Sequence, residues 1–576
     1  MRGGRSKVDR GLALAALALL LAACADQGTS RSVALGDRTL ELSEVGSRPG
    51  PDGTGVEHVL RARLGGSERA RGETLVWAVS DDPRWTVVDG GLRFPAASPS
   101  ETVESLDSIA IRLPSDAALD VRRLRWLELD RFGGWTAIRT RATGRFRVER
   151  IDGVWWLVTP AGHAFYCAGV TGFDPAGDFA PALGTSPYRD AILARYGSEE
   201  AWAEAAQERF RGWQLDCVGG WSDPTLFADR IPYAVNESFM SEAPEVPGWP
   251  GGITGKRIRD VFAPEFDAGA ARRAAGLAGC AENPFCIGVY SDNELPWGPG
   301  VFQVGTYVDA YLTLPAGAPG KRELQAFLER RYGGDVDAFN REWGTALESF
   351  DEIQGLSELG GPILDEPAPR QQVRLAFLRH VAERYFRVVH DAIRSAWPDL
   401  LILGARFSPP FTAPGVIEAS APYTDVVSLN DYEFAPFILE AFSALGALGN
   451  RFLDGPFEDL DWVYERTDRP VLITEYFYRV RRPGVLTLPP GLPEVADEAE
   501  RVAAYTRYQD EMLSRPWVVG THWFQYQDQP VEGRFDGENQ IIGLVTVDDE
   551  PHRPLVDRMT AVNGATYPRR AALAPR

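Results

Sequence analysis

Eight short apolar runs, separated by stretches of helical periodicity, constrain the fold of this chain more than any other feature. They fall at 165–170, 215–220, 233–238, 286–290, 401–405, 425–429, 471–474 and 518–524. Between them lie amphipathic segments. In 368–397, for example, Val373, Phe377, Val381, Tyr385, Val388 and Ala392 recur on one face at helical spacing. Alternating strands and helices imply a parallel sheet, and eight such units imply an α/β fold of the (β/α)8 TIM-barrel type. The region exceeds an ordinary barrel in length, so its loops must be long, with the largest insertion at about 299–365.

A chain of 576 residues is too long for one ordinary core and suits a small domain plus a large one. Upstream of the barrel pattern, short alternating runs at 57–64, 73–79, 85–88, 108–113 and 124–129 are broken by Gly, Pro and Asp. Period-two patterning with that punctuation predicts an N-terminal antiparallel β-sandwich over 56–144, serving either as a carbohydrate-binding module or as a brace. A hairpin turning at Asp152-Gly153 opens the barrel segment, 145–576. Residues 24–55, rich in Gly, Ser, Arg and Asp, are expected to form a tether. At the start, Arg2, Arg5, Lys7 and Arg10 precede an apolar run too short to span a bilayer. That run ends Leu21-Ala-Ala-Cys24, which resembles a bacterial lipobox. The resemblance implies a signal peptide over 1–23 and lipid attachment at Cys24. A membrane partner follows, with the outer membrane favoured because Ala25 is not aspartate.

A formal charge of −21 argues against a nucleic-acid partner and favours a neutral ligand. Of the remaining cysteines, Cys280 and Cys286 are close enough to pair in an oxidising compartment. Cys167 and Cys217, inside apolar runs, read as buried thiols. None has metal-site spacing, and no metal or cofactor is expected.

Two of the apolar runs end in a glutamate. Residues 287–290 lead into Ser-Asp292-Asn293-Glu294-Leu-Pro-Trp297, and 471–474 lead directly into Glu475. In a closed barrel the active site lies over the strands' C-terminal ends, so Glu294 after strand four and Glu475 after strand seven would face one central mouth. Two such acids suit cleavage of a glycosidic bond, one protonating the departing oxygen and the other attacking the sugar carbon. Close carboxyls do not both ionise easily, so Glu294 is expected to be the raised, protonated acid beside a charged Glu475.

These motifs, taken with Gly219-Gly-Trp221-Ser-Asp223, Arg331-Tyr-Gly-Gly, Phe339-Asn-Arg-Glu-Trp-Gly344, His522-Trp523-Phe-Gln-Tyr-Gln-Asp-Gln-Pro530 and Phe535-Asp-Gly-Glu-Asn539, resemble glycoside hydrolase family 50, the β-agarases. Family 42 β-galactosidases are near relatives in the same clan of retaining (β/α)8 glycosidases. The resemblance implies Glu294 as acid/base and Glu475 as nucleophile. It further implies that Asn293 bonds the sugar 2-hydroxyl, that Tyr432 orients Glu475, and that Trp523 forms the platform under the reacting sugar. Trp221, Trp297 and Asn539 are implied subsite contacts, and Asp292 a supporting partner. The chain departs from the agarase pattern at Tyr476-Phe-Tyr478, where a histidine is usual, and at Pro296, where a serine is usual.

The expectation is therefore a retaining hydrolase of β-linked, galactose-containing, agarose-like oligo- or polysaccharides. The alternatives are another neutral β-glycan, such as a glucan or galactan, or a non-catalytic glycan-binding lipoprotein.

Overall fold

The computed structural model describes residues 31–35, 38–50, 55–65, 74–80, 85–94, 106–115, 117–247, 256–297, 306–359, 368–409, 412–434 and 456–575. The signal segment and Cys24 lie outside the described residues, as does part of the 299–365 insertion.

Eight parallel strands form a ring. Strands one to eight are Cys167–Val170, Cys217–Val218, Tyr233–Asn236, Cys286–Tyr290, Leu401–Ile402, Val427–Asn430, Val471–Tyr476 and Val518–Trp523. Their order around the sheet is five, four, three, two, one, eight, seven, six. Phe407, just past strand five, closes the circle. Its N–H donates to Ser428 O at 2.8 Å, and its carbonyl accepts from Asn430 N at 2.7 Å. All eight strands stand at the expected places, and every residue of strand four, seven and eight is buried. This follows from helices packing on the outside while side chains fill the centre. The crossover from strand two to strand three carries only a short 3-10 turn, Pro224–Leu226, where a helix was expected.

Helix Ala368–Ala396 buries Val373, Phe377, Val381, Tyr385 and Val388, as its periodicity predicts. The insertion after strand four is partly helical. Helix Val336–Trp343 starts at Asp335, whose side chain accepts from Ala338 N, and stops at Gly344 in the left-handed region. Among the described residues no helix is long and apolar enough to cross a membrane.

Upstream, two antiparallel sheets stack. One has five strands, within 31–113, and the other seven, within 74–165. Strand Thr74–Ser80 shows why its run is apolar throughout. Val76 and Ala78 face the other sheet across a core with Leu60, Ile109 and Ile111, whereas Trp77 and Val79 join the barrel core. The seven-stranded sheet is thus covered on both faces. The expected tether is corrected here, since Arg31–Leu35 and Arg38–Pro49 are paired strands of the five-stranded sheet. Leu40 and Leu42 alternate into the core, a weak signal within a polar stretch. The hairpin Arg147–Val158 is part of the seven-stranded sheet, linked to Trp135–Arg139 through His163–Phe165.

The thiol expectation is also corrected. Cys167 and Cys217 form a disulfide, as do Cys280 and Cys286. Ring order explains the first, because strands one and two are neighbours though their cysteines are 50 residues apart.

Candidate active site

The strands' C-terminal ends open into a cleft of about 550 Å³ lined by Trp221, Asn293, Glu294, Tyr432, Glu475, Phe477, Phe524 and Glu538, among others. Glu475 Oε1 accepts from Arg406 Nη2 at 2.6 Å and from Trp221 Nε1 at 2.8 Å, while Oε2 accepts from Tyr432 OH at 2.6 Å. Three donors from three loops fix this carboxylate, one of them a fully buried guanidinium. The same guanidinium donates through Nη1 to Asn293 Oδ1 at 2.9 Å. Asn430, the last residue of strand six, then donates to both Asn293 Oδ1 and Glu294 Oε1, at 3.1 and 3.0 Å. A continuous polar chain therefore links the two glutamates across the mouth.

Burial raises the Glu294 carboxyl from 4.5 to about 7, with the Glu475 charge as the next cause. Glu294 thus holds its proton near neutrality beside an ion-paired carboxylate. Burial and the Glu475 charge also push the Tyr432 phenol well above its usual value, so it remains a donor. Asp292 is raised to about 7 by burial and is held by Tyr385 OH at 2.5 Å and Met240 N at 2.9 Å. It lies off the cleft wall, in the supporting place expected for it.

Three non-glycine residues here adopt left-handed backbone: Trp221 at φ 62°, and Glu294 and Arg406 at φ 46°. Such strain costs on the order of 1–3 kcal/mol per residue and collects at functional sites. Beneath Trp221, Gly219 and Gly220 are required by close approach, since a Cβ on either would run into His522 or Asn236. His522 Nε2 lies 3.1 Å from Cys167 Sγ and 3.5 Å from Cys217 Sγ. The two sulfurs and the ring form the ligand geometry of a metal site, but sulfurs bonded to each other are not thiolates.

Three expected subsite residues stand elsewhere. Trp523 is 1% exposed, donates to Ile542 O, and packs on Tyr476, Tyr505 and Arg501 in the helical layer. Phe524, the next residue, lines the cleft instead. Trp297 is fully buried against Tyr307 and Phe386. Asn539 staples two loops, accepting from Leu488 N and donating to Leu486 O. A second cavity, of about 240 Å³, lies between the sandwich and the entry ends of strands two and three, away from both glutamates.

Two curated relatives match this chain. β-Agarase B of Vibrio sp. (strain JT0107) is 26% identical over 502 residues, covering 76% of this chain and 50% of the relative. β-Agarase A of the same strain is 26% identical over 478 residues, covering 72% and 45%. The chain is β-agarase-like. It spans about half the length of these curated relatives. The structure of an exo-β-agarase superposes with a TM-score of 0.65 at 20% identity, covering 94% of this chain and 99% of the other. PfGH50B gives 0.64 at 21%, covering 94% and 98%. At those identities the likeness shows a shared fold. No family model matches the sequence.

The sequence alone did not single out Arg406, Asn430, Phe524 or Glu538 in this β-agarase-like chain. The signal for the first two is the one that found the glutamates, a polar residue closing an apolar run: Leu-Ile-Leu-Gly-Ala-Arg406 and Val-Val-Ser-Leu-Asn430.

Proposed function

We propose that this chain is a retaining glycoside hydrolase acting on β-linked, galactose-containing, agarose-like glycans. The observation that carries the proposal is the meeting of Glu294 and Glu475 in one cleft, joined through Arg406, Asn293 and Asn430. The likeness to β-agarases supports the substrate class.

Glu294, protonated at neutrality, gives its proton to the glycosidic oxygen while Glu475 attacks the anomeric carbon. Arg406, Trp221 and Tyr432 hold the attacking carboxylate in place. Asn293, held through its Oδ1 by Arg406 and Asn430, bonds the sugar 2-hydroxyl in this reading, a contact that tightens in the transition state. Once the glycosyl-enzyme forms, the Glu475 charge is gone, the Glu294 pKa falls, and Glu294 takes a proton from the incoming water. The N-terminal segment supports export and a lipid anchor at Cys24, with the enzyme facing the periplasm or cell surface from the outer membrane.

The test is turnover of agaro-oligosaccharides and aryl β-galactosides by wild type, Glu294→Gln and Glu475→Gln. Each substitution should cost several orders of magnitude in kcat/KM. Proton NMR of the first-formed product should show the β-anomer. Initial release of the α-anomer, or turnover surviving both substitutions, would overturn the reading. Binding without turnover in the wild type would favour a non-catalytic glycan binder.

A further inference from the structure

A third carboxylate lines the cleft, and the double displacement leaves it without a task. Glu538 sits in the loop after strand eight with its side chain 21% exposed. Its Oε2 is fully engaged, accepting from Arg534 Nη2 at 2.8 Å, Gln529 Nε2 at 2.9 Å and Gln540 Nε2 at 3.3 Å. Its Oε1 accepts no hydrogen bond from the described residues. A carboxylate tethered through one oxygen by three donors is rigid, and its other oxygen remains free to accept.

Arg534 shows the same division. Its Nε is 3.0 Å from Asp536 Oδ1 and its Nη2 holds Glu538, but Nη1 lies 3.8 Å from Asp178 Oδ1, beyond hydrogen-bond reach. The guanidinium lies over the Phe524 ring at 5.8 Å and the Phe535 ring at 5.4 Å, so its plane is held as well. An acceptor and a donor therefore stand side by side on a cleft wall. Burial raises the Glu538 carboxyl, Arg534 offsets this, and the Glu475 charge adds to the rise, which puts the group within electrostatic reach of the nucleophile.

Two other uses fit poorly. A metal ion between Glu538 and Asp178 would have to displace the guanidinium already there. A purely structural ion pair has no need of a free carboxylate oxygen on a cleft wall.

We propose that Glu538, oriented by Arg534, is a specificity-determining residue that reads a pair of neighbouring hydroxyls on the sugar next to the reacting carbon. Oε1 accepts from one hydroxyl, and Arg534 Nη1 donates to the oxygen of the other. A carboxylate in this place also repels a uronate or sulfate ester, so the subsite takes a neutral hexose. The inference rests on the glycosidase reading above and extends it to the group that selects the sugar.

The experiment is a thermodynamic cycle on the full-length protein, with p-nitrophenyl β-D-galactoside and its 3-, 4- and 6-deoxy analogues as substrates. Glu538→Gln should lower kcat/KM for the parent glycoside about 10–100-fold, the loss expected for a hydrogen bond to a charged group. The wild type should lose a similar factor on one analogue, and on that analogue the substitution should add less than about 3-fold. An equal loss on every analogue would mean that Glu538 only props its loop, and no loss on the parent would mean that it touches no hydroxyl; either overturns the proposal. If Glu538→Gln does not fold, Glu538→Asp keeps the charge beside Arg534 while drawing the carboxylate back by one methylene, and the same pattern is expected. If the wild type turns over none of these glycosides, the hydrolase reading is judged separately, on agaro-oligosaccharides. The cycle is then read in calorimetric Kd values for the same compounds, where coupling to one hydroxyl sustains the proposal and its absence refutes it.

Discussion

At the scale of single residues, the protonation of Glu294 sets the first prediction. A general acid raised to about 7 must be protonated to act, so kcat/KM should fall as pH rises through about 7. A profile flat to pH 9 would exclude Glu294 as that acid. The same shift carries a stability consequence. The folded state binds this proton more tightly than the unfolded chain does, so stability declines as pH climbs from 4.5 to about 7 and the full cost persists above. Glu294→Gln should therefore be more stable than wild type at pH 8, by on the order of 1–3 kcal/mol in denaturant unfolding, and show little difference at pH 4. Arg406 supplies a further residue-scale prediction. Lysine cannot span Glu475 and Asn293 together, so Arg406→Lys should lower kcat/KM by a factor of about 10–100, with glycoside kinetics as the measure.

At the scale of elements, strand ends were legible and side-chain parity was not. Runs ending in Glu294 and Glu475 announce themselves because a charged group rarely follows a buried strand without reason. Trp523 misleads because strand eight is buried on both faces, so hydrophobicity cannot tell inward from outward. His522 points into the barrel, Trp523 out toward Tyr505, and Phe524 back to the cleft. Trp297 misleads similarly, having turned into the helical layer one step past the mouth. The strands at 31–49 escaped notice because few of their described side chains, chiefly Leu40 and Leu42 with Val33 partly buried beside them, face inward along a polar sequence. Loop anchoring belongs to this scale as well. Asn539 joins the loop after strand seven to the loop after strand eight, so Asn539→Ala should loosen both. Hydrogen exchange should quicken at 485–490 and at 531–540 together, while the barrel strands remain unchanged.

At the scale of the whole molecule, the sandwich, barrel and C-terminal helix form one braced body. Arg112 of the sandwich pairs with Asp557 of helix Arg553–Ala571 at 2.9 Å, and buried Gln214 donates to two sandwich carbonyls. The exposed large apolar side chains among the described residues (Phe179, Leu183, Trp221, Leu486, Leu488, Val531 and Phe535) belong to loops after strands one, two, seven and eight, which are contiguous in the ring. One wall of the mouth is thus apolar and accessible, as sugar faces require. Removing Phe535 and Leu486 together as alanines should lower kcat/KM on polymeric substrate at least several-fold while an aryl glycoside, too short to reach them, is hydrolysed as before.

The bond between Cys167 and Cys217 has a practical meaning for anyone purifying this protein. It crosslinks the two strands under the tryptophan that steadies Glu475, and closing a span of 50 residues contributes about 4 kcal/mol by chain entropy. An expression host with a glutathione-rich cytosol would deliver this position as a pair of free sulfhydryls. Such a batch should titrate with Ellman's reagent, show low specific activity, and regain it on air oxidation.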